Sequence, residues 1–232
     1  MTEQGERTSA AWQDAAFASS WADRDRNRNL LGFPRALAAG LVADTEPQPQ
    51  LVVDIGSGPG DFLAVFLEAF PSARGVWTDA SDAMRELAQE RLRPYGDRVI
   101  YRIVDMTQIG GHEDLTSADV VTTSRAAHHL DRDGLHAFYA EATRLLVPGG
   151  WLVNLDHTGS GDVWDARFRR VRKRLVGSSS KEPKLKPHRH EHPLTTVRNH
   201  LDGLSAAGLI EVEVAWKACH TCLFVGRRPE RA

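Results

Sequence analysis

The 232-residue sequence contains few of the residues that stabilise small secreted or fibrous proteins. Its two cysteines, Cys219 and Cys222, are too few for a disulfide framework and, without a second pair, for a zinc site, so we predict a structural role for them. No apolar run approaches the ~20 residues of a membrane-spanning helix. The polar segment Met1 to Arg7 leads into no apolar core of a secretory signal. We therefore expect a globular, cytoplasmic protein without a membrane span.

A strong net charge is also missing, although one segment is highly basic. The chain has 29 Lys+Arg and 31 Asp+Glu, a formal net charge of -2. Between Arg167 and His190 there are ten basic residues and one acid, Glu182, so this segment carries 10 - 1 = +9 and the rest carries -2 - 9 = -11. This asymmetry indicates either a surface for phosphate, nucleic acid or an anionic substrate, or the solvent-facing side of a helix.

Short runs rich in β-branched residues alternate with helical patterns, which is typical of βαβ units on a mainly parallel sheet. The predicted strands are residues 51–55, 75–78, 99–104, 118–123, 151–155, 210–215 and 222–225. The predicted helices are residues 62–70, 82–93, 131–146 and 195–207. The sequence Pro148-Gly149-Gly150 predicts a turn into the fifth strand.

Two segments interrupt this alternation. Residues 8–43 predict an N-terminal cover of two helices, one with Trp12, Phe17 and Trp21 and one beginning near Pro34. Residues 158–192 predict an insertion after the fifth strand, in which a helix has an apolar stripe formed by Trp164, Phe168, Val171 and Leu175. The arginines then lie on the opposite face, and residues 181–192 form a loop. We expect both segments to belong to a single domain, residues 1–232.

The most specific motif is LVVDIGSGPGDF, residues 51–62, in which a buried strand runs into a glycine-rich turn at the start of a helix. The glycines allow a ligand to approach the backbone, and the helix N-terminus offers unpaired N–H groups. Asp61 stands where a dinucleotide fingerprint needs a small residue, and the Lys-Ser/Thr pair of a P-loop is missing. The motif therefore favours a ligand without phosphate, with Asp54 as an acceptor for an ammonium group.

Two more acids follow the second and third strands. Asp79 comes 19 residues after Gly60, where open α/β sheets place an acid that bonds ribose hydroxyls. Asp105 and Met106 suit an amino group and the face of an adenine. Together with the glycine-rich turn, these residues predict a site for a nucleoside with a cationic amino-acid tail.

With these motifs in order, residues 50–157 resemble the class I S-adenosylmethionine-dependent methyltransferases. The segment DIGSGPG is similar to the glycine-rich first motif of this family, ADVVTTSRAAHHL to its fourth strand and loop, and VPGGWLVNLDH to its fifth strand. The resemblance implies an α/β, Rossmann-like, seven-stranded, mainly parallel sheet with an antiparallel last strand and helices on both faces. It also implies that S-adenosyl-L-methionine is the cofactor, bound by Asp54, Gly56, Ser57, Gly58, Gly60, Asp79, Ala80, Met84, Asp105, Met106 and Ser124.

The residues after strands four and five are candidates for catalysis because ligands bind beyond the carboxyl ends of the strands. We predict His129 and His157 as bases or acceptor-orienting groups, and Arg125 as a polar anchor. His128 is either a catalytic residue or one that bonds to the carboxylate of the cofactor or to the backbone. The predicted substrate contacts are Trp21, Asp156, Trp164 and His190.

Three functions stay open from the sequence. The first is methylation of O, N or C of a small molecule, such as a specialised metabolite, by direct displacement. The second is a tRNA or rRNA methyltransferase that uses the basic insertion, and the third is a regulatory protein that binds the cofactor without catalysis. His188, His190 and His192 alternate along the chain, but we predict a polar lid there rather than a metal site. The oligomeric state, monomer or homodimer, also stays open.

Overall fold

The computed structural model describes residues 13–15, 19, 31–112, 115–176 and 192–230. Its strands are β1 (Leu51–Ile55), β2 (Arg74–Asp79), β3 (Val99–Ile103), β4 (Ala118–Ser124), β5 (Leu146–His157), β6 (Ile210–Ala218) and β7 (Thr221–Arg227). The numbered helices are α1 (Gly32–Ala43), α2 (Asp61–Ala69), α3 (Asp82–Leu92), α4 (Arg132–Leu145), α5 (Asp162–Val176) and α6 (Val197–Ala206). Short 3-10 turns occupy Arg93–Arg98, Ile109–Gly111 and Ala127–His129.

The seven strands form one sheet with the order β3-β2-β1-β4-β5-β7-β6. Strands β1 to β5 pair in parallel, whereas β7 pairs antiparallel with both β5 and β6. This arrangement confirms the predicted α/β class and the antiparallel last strand. Because the strand order reverses between β1 and β4, a crevice is expected beyond the carboxyl ends of these two strands.

Both faces of the sheet are buried, as is usual for parallel sheets. Val52 and Val53 are both fully buried, yet they pack into the cores on opposite faces because side chains alternate along a strand. The first core includes Phe62 and Phe66 of α2, and the second includes Leu135 and Tyr139 of α4. The β-branched runs seen in the sequence are therefore the centre of the fold.

Polar caps fix the starts of helices that border the crevice. The Ser81 hydroxyl accepts a hydrogen bond from the N–H of Met84 at 3.1 Å, and the Asp131 carboxylate accepts one from Gly134 at 2.8 Å. Both helix starts agree with the sequence-based predictions. Helix α6 begins with a capping box formed by Thr196 and Asn199.

The predicted turn before the fifth strand is wrong. Strand β5 begins at Leu146 and runs through Pro148, Gly149 and Gly150. The N–H of Gly149 donates to the carbonyl of Arg228 at 2.9 Å, and Arg228 donates to Gly150 at 2.8 Å. Gly149 has a φ of +79°, so the chain bends within the strand while the pairing continues.

The two additional segments are described in part. Helix α1 confirms the second helix of the N-terminal cover, but Trp12, Phe17 and Trp21 lie outside the described residues. Helix α5 confirms the helix of the insertion, whereas residues 177–191, with His188 and His190, also lie outside them. No helix in the described ranges is long and apolar enough to cross a membrane.

Candidate active site

A cleft of about 300 Å³ opens at the carboxyl ends of strands β1 to β4, where the strand order reverses. Many predicted residues line it, namely Gly56, Ser57, Gly58, Asp79, Ala80, Met84, Asp105, Met106, Ser124, Arg125 and His129. Other predicted residues lie behind the lining or away from it, namely Asp54, Gly60, His128, Asp156, His157 and Trp164. The cleft thus joins the glycine-rich turn with the loop that follows β4.

The glycine-rich turn needs glycine for steric reasons. Gly56, Gly58 and Gly60 have φ values of +61°, +55° and +83°, in the left-handed region. A Cβ atom on Gly56 would lie 2.6 Å from the Cβ of Ala126, which is too close for two carbon atoms. The missing side chain therefore allows the loop after β4 to approach the turn.

Asp54 supports this turn from beneath. Its side chain is fully buried, and its two carboxylate oxygens accept hydrogen bonds from Ser57 Oγ at 2.5 Å and Thr122 Oγ1 at 2.8 Å. Burial raises the pKa of Asp54 to about 6, although both hydrogen bonds favour the charged form. Asp54 bonds to the turn and does not line the cleft, and its contact with a ligand ammonium group stays a prediction.

Asp79 faces the cleft at the end of β2. One of its oxygens accepts a hydrogen bond from the N–H of Gly58, and the other accepts one from the N–H of Ser81, both at 2.9 Å. Burial raises its pKa, whereas these N–H groups favour its charged form. Each carboxylate oxygen has a second lone pair, so Asp79 retains acceptor capacity for the hydroxyls of a ribose.

Further groups on the cleft wall suit the rest of a nucleoside. Met84 and Met106 provide apolar surface. Asp105 accepts hydrogen bonds from the N–H and the hydroxyl of Thr107 at 2.8 and 2.7 Å, which orders the turn after β3. Ser124 Oγ is buried and has no hydrogen-bond partner among the described residues. This unused polar atom on the lining is consistent with a ligand in the cleft.

The turn after β4 brings a histidine to the cleft. His129 lines the cleft, and its ring centroid lies 4.2 Å from that of His128. His128 is buried, and its Nδ1 lies 2.5 Å from a carboxylate oxygen of Asp156. The N–H of His128 donates to the other oxygen of Asp156 at 2.8 Å. His128 is therefore placed behind His129, where it fixes the conformation of the turn.

Asp156 holds several parts of this loop together. It is fully buried and accepts a third hydrogen bond from the N–H of His157 at 2.7 Å. Burial opposes the charged form, but the neighbouring charge and hydrogen bond of His128 lower the pKa of Asp156 below its ordinary value. This carboxylate is surrounded by protein and positions other residues, and its contact with substrate stays a prediction.

The remaining candidates after β4 and β5 differ in their access to the cleft. Arg125 lines it with a φ of +56°, and its N–H donates to the carbonyl of Leu155 at 3.0 Å. A left-handed conformation of this kind costs about 1–2 kcal/mol for a residue with a side chain, and such strain is often found at functional sites. His157 is half-buried, does not line the cleft, and has Nδ1 3.3 Å from Thr221 Oγ1.

The substrate contact by Trp164 stays a prediction, because this side chain does not line the cleft. Trp164 is 54% exposed on α5, and the guanidinium of Arg167 lies 5.1 Å from its ring centroid. Helix α5 is attached to the rest of the fold through Asp165, which bonds Ser160 and His220 at 2.8 Å. Trp164 therefore packs on its own helix. The other two predicted contacts, Trp21 and His190, lie outside the described residues.

Several lining residues were missed in the sequence. Arg35 of α1 reaches the cleft, and its charge lowers the pKa of Asp54 relative to burial alone. Gln13 donates a hydrogen bond to the carbonyl of Ala80 at 2.8 Å and also lines the cleft. Neither residue belongs to a motif, so no local pattern indicates its role. Asp61 does follow the glycine-rich turn, but in the sequence it indicates only that the motif is not a dinucleotide-binding fingerprint.

A second polar group of residues lies in the core between β5, α4 and α6. His200 Nδ1 lies 2.6 Å from Tyr139 Oη, and its Nε2 lies 3.0 Å from Thr195 Oγ1. Asn154 donates to the same Tyr139 oxygen at 2.8 Å. Burial lowers the pKa of His200 to about 4. These residues connect the helices behind the site. Because burial lowers its pKa, His200 is neutral at ordinary pH.

Residues 52–150 match the family described as a methyltransferase domain. The chain is 33% identical over 114 residues to the hybrid PKS-NRPS synthetase mpsA of Macrophomina phaseolina, covering 45% of this chain and 3% of that protein. It is 32% identical over 127 residues to the malonyl-[acyl-carrier protein] O-methyltransferase of Hahella chejuensis, covering 53% and 43%. It thus spans less than half of either relative.

The fold is shared with solved structures. Human N-acetylserotonin methyltransferase in complex with SAM superposes with a TM-score of 0.67 at 12% identity, covering 95% of this chain and 58% of that one. The family match covers the glycine-rich turn, Asp79, Asp105 and the turn after β4, which are the residues that carry the resemblance. Over residues 52–150, the chain is therefore similar to methyltransferase domains.

Proposed function

We propose that this protein transfers a methyl group from S-adenosylmethionine to a small-molecule acceptor. The observation that carries the proposal is that the strand-end acids Asp79 and Asp105 line the same cleft as His129. When bound, the cofactor would supply an electrophilic methyl group on a positively charged sulfur, with the neutral thioether S-adenosylhomocysteine as the leaving group. The protein's own residues then have two tasks, to hold the cofactor and to align and deprotonate the acceptor.

Two parts of the lining hold the nucleoside in this proposal. Asp79 accepts the ribose hydroxyls while the N–H groups of Gly58 and Ser81 fix its carboxylate. Met84 and Met106 pack against the adenine. These assignments use groups that already line the cleft, so they require no rearrangement of the strands.

His129 is the proposed base. It lines the cleft, whereas His157 does not, so the placement favours His129 of the two histidines. His128 and Asp156 act as positioning residues, because their short contact holds the turn that presents His129. Alignment of the acceptor supplies up to ~7–11 kcal/mol in ideal cases, and proton removal adds ~10²–10⁴-fold where the acceptor carries a proton.

The names of the relatives support a small or carrier-bound acceptor. One relative acts on a malonyl group on a carrier protein, and others are polyketide-type synthetases. We therefore propose an acceptor from specialised metabolism and place carboxylic acids, phenols and malonyl thioesters first among the candidates.

The test is release of S-adenosylhomocysteine that depends on an added acceptor. Purified protein is incubated with methyl-labelled S-adenosylmethionine and a panel of these acceptors, and labelled products are separated by chromatography. We expect acceptor-dependent product with the wild-type protein and much less with His129→Ala. Cofactor binding without any labelled product would instead favour a regulatory protein that binds the cofactor.

The second candidate function is methylation of RNA. Helix α5 exposes Arg167, Arg170 and Arg174, while Asp165 and half-buried Phe168 attach its other side to His220. An RNA contact would make affinity fall steeply with salt and would be lost when Arg170 and Arg174 are changed to Glu. RNA binding that is weak and unaffected by these changes would exclude this candidate.

A further inference from the structure

A ligand ammonium group in the cleft has a second candidate partner besides Asp54 of β1. Asp54 is fully buried, both of its oxygens bond to Ser57 and Thr122, and it is absent from the cleft wall. A second acid, Asp61, does line the cleft and is the first residue of α2. Asp61 can accept a hydrogen bond from a ligand only if one of its oxygens is not already bonded to protein.

Asp61 is only 6% exposed, and its two oxygens differ. Oδ1 accepts a hydrogen bond from Arg91 Nε at 2.8 Å. Oδ2 is buried and has no hydrogen-bond partner within the described ranges of the chain. A buried carboxylate oxygen without a partner is costly, and native proteins almost always satisfy such atoms with protein, water or ligand.

The charge around Asp61 fits a zwitterion. Asp61 lies in the first turn of α2, where negative charge interacts favourably with the helix N-terminus. Arg35 lines the same cleft and is close enough to Asp54 for its charge to lower the pKa of that group. The region beside the glycine-rich turn therefore presents one acid and one base to a ligand that carries both charges.

We propose that Asp61 Oδ2 accepts a hydrogen bond from the ammonium group of the aminoacyl end of S-adenosylmethionine. This inference rests on the proposed function, since it assumes that the cofactor occupies the cleft. Asp54 then has a purely supporting role beneath the turn. A charge-assisted hydrogen bond to a buried carboxylate makes Asp61 the residue that distinguishes the complete cofactor from an analogue without the amino group.

The test is calorimetric titration with two ligands, S-adenosylhomocysteine and its desamino analogue, which lacks only the ammonium group. For the wild-type protein, we expect S-adenosylhomocysteine to bind about 10- to 100-fold more tightly than the analogue. For Asp61→Asn, we expect this preference to fall to within about threefold, because the affinity for S-adenosylhomocysteine drops while that for the analogue is retained.

Arg91→Gln is the matched control. It removes the same Asp61–Arg91 ion pair but leaves the carboxylate, and Arg91 does not line the cleft. We expect Arg91→Gln to keep the wild-type preference. The inference is overturned if Asp61→Asn keeps the full preference, if it weakens both ligands equally, or if Arg91→Gln loses the preference as well. Failure of the wild-type protein to bind either ligand would overturn the proposed function too.

Discussion

Replacing Asp54 with Asn should change the pH dependence of stability in a defined direction. Burial raises the pKa of Asp54 from 3.8 to about 6. A shift of about two units corresponds to about 3 kcal/mol. Because the folded pKa is higher than the unfolded one, the folded state holds a proton that the unfolded state releases. This contribution to stability is complete below about pH 4 and is lost as the pH rises through about 6.

The Asp54→Asn variant has no ionisable group at this position, so it does not lose stability in this interval. The amide oxygen of the new side chain can accept one hydroxyl bond and its NH₂ can donate to the other hydroxyl, from Ser57 or Thr122. The difference in unfolding free energy between Asp54→Asn and the wild-type protein should therefore rise by about 3 kcal/mol between pH 4 and pH 8. Urea unfolding followed by tryptophan fluorescence across this pH range measures it. A difference that is constant with pH would refute the assignment of a buried, raised-pKa carboxyl group to this position.

The other predictions concern residues around the same site and core. His200 has its pKa lowered from 6.5 to about 4. The wild-type protein should therefore lose about 3 kcal/mol of unfolding free energy as the pH falls from about 6.5 to 4, because the unfolded state takes up a proton that folded His200 does not. His200→Gln should not show this loss, and urea unfolding at the two pH values measures the difference. Asp156→Asn should destabilise the protein by about 1–3 kcal/mol in thermal unfolding, because an amide cannot replace all the hydrogen bonds that the buried carboxylate makes with His128 and His157, and an unchanged stability would contradict that role. Gly56→Ala should lower both the melting temperature and the affinity for S-adenosylhomocysteine, and Ala126→Gly should restore part of each in the double variant, since their Cβ atoms would otherwise lie 2.6 Å apart. His129→Ala should keep that affinity but lower turnover by ~10²–10⁴-fold, and unchanged turnover across a pH series would exclude it as the base.

The sheet was predictable because its signals are local. β-branched runs mark the parallel strands, and the spacing of glycines after Asp54 marks the turn that the ligand approaches. Ser81 and Asp131 are capping residues that act within three positions of themselves, so the starts of α3 and α4 are visible in the sequence. The bend at Gly149 was misread as a turn because its pairing partner, Arg228, lies far along the chain.

The roles of individual acids depend on distant contacts and were less predictable. One oxygen of Asp54 is occupied by Thr122, which is 68 positions away. Asp156 is occupied by His128, 28 positions earlier. Sequence spacing places both acids at strand ends, but only the packing of neighbouring strands determines whether a strand-end side chain faces the cleft or the interior.

The central claim is that the cleft beside Asp79 binds S-adenosylmethionine. Calorimetric titration of S-adenosylhomocysteine into the wild-type protein and into Asp79→Asn tests it most directly. We predict one binding site per chain in the wild-type protein and at least a tenfold loss of affinity in the variant, because a carboxylate acceptor for ribose is removed. Absence of binding at millimolar ligand, or equal affinity of the two proteins, would contradict the claim.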